Sequence, residues 1–594
     1  MATEMLDIDS LLKEITGLRD HSCRNGFSHQ RVQKFKVLNS DTNERQKILH
    51  LIDSHVPSLR ETAGMQFTKI IEHECLGDMK EYFQMLKDVI STKCTQGGMD
   101  EVLKQQLEMP KEWTVIQITH QINPVELQSL EPSTYETNGI DLVVFNCGQE
   151  NVEPFLVSLS SPPSLNGQKF ELLQKLMDVL KLNSEMLTST SQRHFFKNKR
   201  EKYDYMQRQE DTELTVQELV REAEHNWLRE WRCLLVGKFQ SEEAEEEVRG
   251  EVWRLARECL KGHKLNGKDK ELLYYIIKGA DRLTTSEISE AIKLCCGDLC
   301  QNTAKDLVRM IKEINVKINC KYDMLPRHPV ILVLDESLDA IPWEMMEIFN
   351  GEPVTRIPSW HFVYYLFKAH EKHIKNGLRV ISRPLEGKFI INPDGDLVQM
   401  EKRMVSFFNY WLKGWTGING RKPTSDEFYD YLEQSDVFSY SGHGNGTHLY
   451  TIDILKRKTI KSVVLLFGCA STKIARQGPQ LGTYGSYHIF LIARAPCVLG
   501  MLWPVTDTVT DLLTTGFLSS WLPSEAPIHW SQVDKKAWKK GGPYDNFSAI
   551  DVQAPPINSN LELLRALWSA KSSLSSFFTK AACVVRGLPV KIAD

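Results

Sequence analysis

The sequence has no long uninterrupted apolar run. Its most apolar C-terminal stretch, residues 487–503, is broken by His488 and Arg494, so no membrane span is expected. It has no marked charge excess either. The formal net charge is −5, which implies no general attraction to nucleic acid or to an anionic membrane. A disulfide framework is lacking, since 13 cysteines in 594 residues are too sparse and irregular for one. The acidic opening, MATEMLDIDSLLKE, lacks the apolar centre of a signal peptide. These absences predict an intracellular protein with reduced thiols. Several chemistries lack their signatures as well. No GK[ST] follows the glycines at Gly442, Gly444 and Gly446, so a phosphate loop is not expected. His443 and His448 do not form HExxH, and no G-x-S-x-G elbow stands nearby. Cys295, Cys296, Cys300 and Cys320 have no CxxC pair and no adjacent His, so they read as helix thiols, not as a zinc site.

What the sequence does have is α/β texture in its second half. Three short apolar runs, Val437–Ser441, 462–468 and 497–503, are each bounded by Gly or Pro. They are too short for helices and rich in Val, Leu and Phe, which predicts buried strands of a parallel sheet. Earlier runs at 329–334 and 388–391 read the same way. Helices come between them. Asp396 with Gln399 and Thr424 with Glu427 read as helix caps, and Leu397, Met400, Met404, Phe408 and Trp411 form a core-facing stripe. Alternating strands and helices predict a sheet covered on both faces.

The first half divides into three textures. Residues 1–110 read as helical, with Leu11, Leu12, Ile15 and Leu18, then Leu86, Val89 and Ile90, at helical spacing. Residues 113–119, 141–146 and 154–160 read as strands. Residues 168–320 read as a helical insert, with a capping box at Thr215 and Glu218 and a staple of Leu214 and Leu219. Its charge runs, 197–202 and 242–247, read as solvated helix faces. After Trp521 the pattern loosens into a loop over 541–556 and a last amphipathic helix near 561–570.

Two of the short strands end in chemistry. One runs into Gly442-His443-Gly444 and the next into Gly468-Cys469. Functional groups of a parallel sheet collect beyond the carboxyl ends of its strands, so a thiol and an imidazole are delivered to one edge as nucleophile and base. The flanking glycines admit a close substrate backbone. The amides of Gly444 and Cys469 could form an oxyanion hole. The sequence fixes no third residue, so the reading is a dyad. No Lys or Arg occurs between Lys422 and Lys456, or between Arg494 and Lys535. A pocket for an acidic side chain therefore has no cation in these segments. Asp507 and Asp511, four apart on one helix face, suit a substrate guanidinium instead.

A set of residues in fixed order carries a family resemblance. They are Leu334-Asp335, Pro342-Trp343-Glu344, Arg356-Ile357-Pro358-Ser359, Asn392-Pro393 with Asp396-Leu397, Ser441-Gly442-His443-Gly444, Phe467-Gly468-Cys469-Ala470-Ser471, and Trp503 with Val505-Thr506-Asp507. Together they resemble the protease region of separase, the caspase-like cysteine protease that opens the cohesin ring. The resemblance covers roughly 326–525 and less clearly 112–325. It implies a caspase-like, doubly wound α/β fold with a mostly parallel sheet, made of a pseudo-protease half and an active half. The expected divisions are an N-terminal helical region, 1–110; a pseudo-protease-like region, 111–325, with the insert at about 168–320; and a catalytic domain, 326–594.

The resemblance implies a cysteine endopeptidase with His443 and Cys469 as its dyad, cutting the kleisin subunit of cohesin after arginine at anaphase. A catalytically silent scaffold of the same fold, or a caspase-like protease with other targets, is the alternative. No metal and no cofactor are expected. The chain departs from the family pattern at Ala470 to Thr472, at Pro479 to Gly482, and at Pro504, where the family has Asp. Its length resembles the short insect separases typified by the fruit fly, in which a large helical partner, Three rows, supplies the N-terminal region and the securin-type inhibitor is Pimples. Location in cytoplasm and nucleus, and on chromosomes and spindle during mitosis, is implied in the same way.

Overall fold

Short runs of Val, Ile, Leu and Phe cannot bury both faces alone, and here they do so by pairing across the length of the chain. The computed structural model describes residues 26–38, 42–73, 77–123, 137–162, 170–192, 198–258, 260, 265–297, 299–322, 326–451, 459–476, 482–540 and 560–593. The expected helix at residues 11–18 and the loop at 541–556 lie outside the described residues.

Eleven strands form one sheet. In chain order they are β1 (Thr114–His120), β2 (Ile140–Asn146), β3 (Phe155–Leu159), β4 (Val330–Leu334), β5 (Val354–Arg356), β6 (Gly387–Ile391), β7 (Thr416–Asn419), β8 (Val437–Ser441), β9 (Val463–Leu466), β10 (Cys497–Met501) and β11 (Cys583–Gly587). Their spatial order is β3-β2-β1-β4-β5-β11-β10-β9-β8-β6-β7. From β1 through β4 and β5 to β11 the neighbours are parallel. β11 meets β10 antiparallel, and β10, β9, β8, β6 and β7 are again parallel to one another. The reversal between β11 and β10 gives the two parallel halves opposite directions. This is the expected caspase-like α/β architecture, with antiparallel β2 and β3 at one margin.

The reversal, between β11 and β10, does not coincide with the expected division at 325 and 326. β4 and β5 lie beyond that boundary, yet β4 pairs with β1 and β5 with β4 and β11, and neither pairs with the histidine and cysteine strands. The strand that joins the halves is β11, from the tail that looked irregular in sequence. Its core is Cys-Val-Val-Arg-Gly, too short to stand out.

Helices cover both faces. α1 (Gly26–Val37), α2 (Glu44–Ser54), α3 (Pro57–His73), α4 (Lys80–Ser91) and α5 (Cys94–Glu108) precede the sheet. α6 (Leu172–Gln192), α7 (Lys199–Glu222), α8 (Glu242–Glu258), α9 (Gly267–Lys278), α10 (Thr285–Cys296) and α11 (Gln301–Lys321) make the insert. The chain after β5 adds α12 (Trp360–His370), α13 (Val398–Trp411), α14 (Ser425–Gln434) and α15 (Asp507–Trp521). Among the described residues no helix is long and apolar enough to cross a membrane.

Caps divide into confirmed and corrected. Thr424 and Glu427 form a full capping box on α14. Thr215 does not cap: it lies inside α7, where its hydroxyl donates to Asp211 O at 2.8 Å, and Leu214 is exposed. The true N-cap is Asn198, which accepts from Glu201 N. A threonine inside a helix can bond back to the preceding turn, so the local motif has two readings. Asp396 does not cap α13 either, whose N-cap Leu397 makes no side-chain bond.

Several family residues are structural anchors. Arg356 is buried and donates to both Glu344 oxygens, at 2.7 and 2.6 Å, and to the carbonyls of Asp339 and Ile341. Ser359 caps α12. Asp335 pairs with Lys34 of α1 and accepts from His120 N at 3.2 Å. Asp53, Cys94 and His361 are the one group among the described residues spaced to hold a metal. The Asp53 carboxylate there is filled by Cys94 N, Thr95 N and the Thr95 hydroxyl, with Arg60 at 3.5 Å. It is a polar joint between the N-terminal helices and α12.

Candidate active site

β8 and β9 are buried along their whole length, and His443 and Cys469 stand just beyond their carboxyl ends. The ladder pairs Val437 with Val463 and Tyr440 with Leu466, the same offset that separates His443 from Cys469. The two residues therefore leave the sheet at matched positions of neighbouring parallel strands. Phe467 N donates to Tyr440 O at 2.8 Å, the last bond before the two turns separate.

Each turn is fixed by its own residues. In the histidine turn Tyr440 Oη donates to His443 O at 2.6 Å. Gly444 and Gly446 have φ of +58° and +72°, a region that favours glycine. In the cysteine turn Ala470 takes φ +52°. Ala470 N donates to Trp503 O at 3.3 Å and Thr472 N to Met501 O at 3.0 Å, which tie the turn to β10. Gly468 is the point of closest approach: a Cβ there would lie 1.8 Å from Gly444 O and 2.8 Å from Gly442 O. Gly468→Ala is thus expected to push the histidine turn off the cysteine turn. Overpacking of this kind costs about 1–3 kcal/mol, read as a lowered melting temperature together with loss of turnover. Unchanged melting and unchanged turnover would show that the two turns are not packed this way.

His443 and Cys469 share the edge without bonding each other. His443 Nε2 donates to Asp396 Oδ2 at 3.0 Å, and the Cys469 Sγ donates to Val505 O at 3.3 Å. Cys469 is exposed as a residue, yet its sulfur is largely desolvated. That desolvation raises the thiol pKa above its usual value, and the Asp507 carboxylate pushes the same way. Alkylation of Cys469 by iodoacetamide in the free protein should therefore keep accelerating as pH rises past 9, because only the thiolate reacts. A rate that levels off near pH 7, followed by mass spectrometry of the Cys469 peptide, would contradict the raised pKa. The amides of Gly444 and Cys469 donate to no other residue among those described.

Asp507 and Asp511 are placed differently from the sequence reading. Both lie at the start of α15, but the chain's own Arg403 holds them. Arg403 Nε donates to Asp511 Oδ2 at 2.7 Å and Nη2 to Asp507 Oδ2 at 3.2 Å. The Asp511 side chain is 5% exposed and that of Asp507 54%. Asp511 is thus an internal ion-pair partner, and Asp507 alone of the two opens toward solvent. Counting charges along the two flanking segments missed Arg403 because it comes from α13. The available signal was an arginine beside Met400, Met404 and Phe407 in an apolar stripe.

A cavity of about 660 Å³ opens beside Ala470, between Trp503, Pro504 and the apolar residues Leu173, Leu176 and Leu180 of α6. Asn183 of α6 donates to Pro504 O at 3.0 Å, so the insert forms part of the wall next to the cysteine. The periodicity of 168–320 gave no sign of this.

The family model described as separin, protease domain, matches residues 138–508. The mouse protein named separin is 30% identical over 307 residues, covering 52% of this chain and 14% of its own length. The Emericella nidulans separin is 34% identical over 195 residues, covering 32% of this chain and 9% of its own. The Saccharomyces cerevisiae separin is 22% identical over 416 residues, covering 65% of this chain and 24% of its own. The chain thus spans less than a quarter of the length of these relatives. Its fold resembles the solved S. cerevisiae separase in complex with securin, with a TM-score of 0.68 at 16% identity, over 99% of this chain and 37% of that one. With the family model covering more than half of its length, both turns of the histidine and cysteine edge included, the chain belongs to the separin protease-domain family.

Proposed function

We infer that the chain is the catalytic part of a separase: a cysteine endopeptidase that cuts the kleisin subunit of cohesin after arginine and so releases sister chromatids at anaphase. The observation that carries this reading is the matched exit of His443 and Cys469 from adjacent parallel strands in a chain of this family. Cys469 attacks the scissile carbonyl carbon, and the resulting oxyanion is met by the amides of Gly444 and Cys469. His443 takes the thiol proton and returns it to the leaving amine, and water then hydrolyses the thioester. The raised thiol pKa makes this general-base step necessary. Of the two acidic residues, Asp507 is the one open to a substrate guanidinium. The cavity beside Ala470 takes the residues preceding the cut.

The partners follow from the same reading. A securin-type inhibitor is a partner, since the fold relative was solved in complex with securin. A large helical partner docks on the N-terminal helices, and the assembly acts on chromosomes and spindle in mitosis. A catalytically silent scaffold is disfavoured because both dyad residues are present at one edge. The test is to incubate the purified full chain, freed of inhibitor, with a kleisin fragment. Cleavage after arginine, abolished by an Arg-to-Glu change at the cut site, is the expected result. Cutting equally well after Arg, Ala and Asp would remove the arginine assignment, and no cutting by the chain with its helical partner would favour the scaffold.

A further inference from the structure

The loop after β6 reaches the same edge and carries a carboxylate that the dyad reading leaves unused. Residues 392–397 form a turn organised by Asn392, which has φ +49°. Its N donates to Ser441 O of β8 at 2.8 Å. Its side-chain oxygen accepts from Leu397 N at 3.0 Å, and its side-chain nitrogen donates to Glu401 at 2.6 Å. Gly395, at φ +78°, closes the turn with a bond to Asn392 O at 3.1 Å. Asn392 thereby satisfies the amide at the start of α13, and Asp396 is released from the capping role its position suggests. Its carboxylate accepts from His443 Nε2 at 3.0 Å instead.

Strand order makes this contact directional. β6, β8 and β9 are consecutive in the sheet, so Asp396, His443 and Cys469 leave its edge in that order, with the imidazole in the middle. A neutral imidazole that gives its Nε2 proton to a carboxylate bond keeps its lone pair on Nδ1. We propose that Asp396 is a positioning residue of the cleavage reaction: it holds His443 in the tautomer whose Nδ1 is free for the Cys469 proton, and it stabilises the imidazolium that then forms. This rests on His443 and Cys469 being the dyad.

The step balances without other reactants. The proton leaves Sγ for Nδ1 and the sulfur electron pair adds to the scissile carbonyl carbon. As the C–N bond breaks, the Nδ1 proton departs with the amine, leaving a thioester. Asp396 forms and breaks no covalent bond in this step. The same loop supplies its own control. Asp394 makes a similar contact to another histidine, His448, at 3.3 Å, and pairs with Lys422 at 3.2 Å. His448 is not at the strand position matched to Cys469.

The experiment measures kcat and KM for cleavage of a kleisin fragment by the full chain, with its helical partner if required, and by four variants. Asp396→Asn is expected to lower kcat roughly 10- to 100-fold with KM within about twofold, because the amide can offer its own N–H to Nε2 and favour the wrong tautomer. The pair is exposed, so the loss is smaller than for a buried orienting carboxylate. Asp396→Glu should recover most of the rate, and Asp394→Asn should stay within about threefold of the parent. Asp396→Asn at parental rate, or faster than the parent, overturns the proposal; the second outcome would make the contact a restraint on His443. An Asp394→Asn loss equal to that of Asp396→Asn also overturns it, since the effect would then belong to the loop. Cys469→Ala separates the two levels. Activity in that variant sinks the dyad itself, whereas an inactive Cys469→Ala beside a fully active Asp396→Asn sinks only the role of Asp396.

Discussion

Cys469→Ala is expected to reduce kleisin cleavage by at least about 10⁴-fold while leaving the fold intact. Alanine keeps the methylene that packs beside the β10 turn and removes only the sulfur, whose one bond is to Val505 O at 3.3 Å. Losing a weak thiol donor from an exposed residue costs little stability. The turn itself is held by backbone bonds from Ala470 and Thr472 to β10, which the substitution does not touch. His443→Ala should be nearly as inactive, and the double variant no worse than either single one, because a nucleophile and its base act as a unit. Melting temperatures within a few degrees of the parent check that the fold survives. Residual turnover within tenfold of the parent, in a preparation free of other proteases, would sink the assignment.

The second large effect is on stability and involves a buried ion pair. Arg586 lies in β11, the strand that joins the two halves, and its guanidinium donates to both oxygens of Asp339 at 2.7 Å. Both groups are buried. Burial alone would raise the Asp339 carboxyl, and the Arg586 guanidinium overrides it and holds the pKa below the usual value. Arg586→Met leaves that carboxylate buried with Arg356 at 3.7 Å as its remaining cation. Breaking one side of a buried pair costs about 3–5 kcal/mol, so the denaturation midpoint should fall sharply. The double variant Arg586→Met with Asp339→Asn should be less destabilised than Arg586→Met alone, because the orphaned charge is gone. A double variant worse than the single one would show that the pair is not the source of the loss.

The pH dependence of this pair follows from its sign. A carboxyl held below its unfolded value stabilises the fold above that unfolded value, and the stabilisation is lost as pH falls through the folded one. Asp339 should therefore contribute its full share at neutral pH and lose it in acid.

The sequence by itself determined the parts that local chemistry encodes. Short apolar runs between glycines located β8, β9 and β10 to within a few residues, because a strand buried on both faces has no other way to be written. The residues that end those strands, His443 and Cys469, were legible for the same reason. So was the cap of α14, whose Thr424 and Glu427 partners are three residues apart. Only the tertiary structure decided which long-range partner each polar group takes. Asp396 could cap a helix or hold a histidine, and the strand order chose the histidine. Asp507 and Asp511 could wait for a substrate, but Arg403 lies 108 residues from Asp511 in sequence and reaches it across the fold. The reversal of the sheet depends on β11, a five-residue strand whose neighbours β5 and β10 are brought to it only by folding. A pattern read along the chain reports what a residue can do within a turn or two. Burial and strand order, which set the competition among distant partners, exist only once the sheet has closed around them.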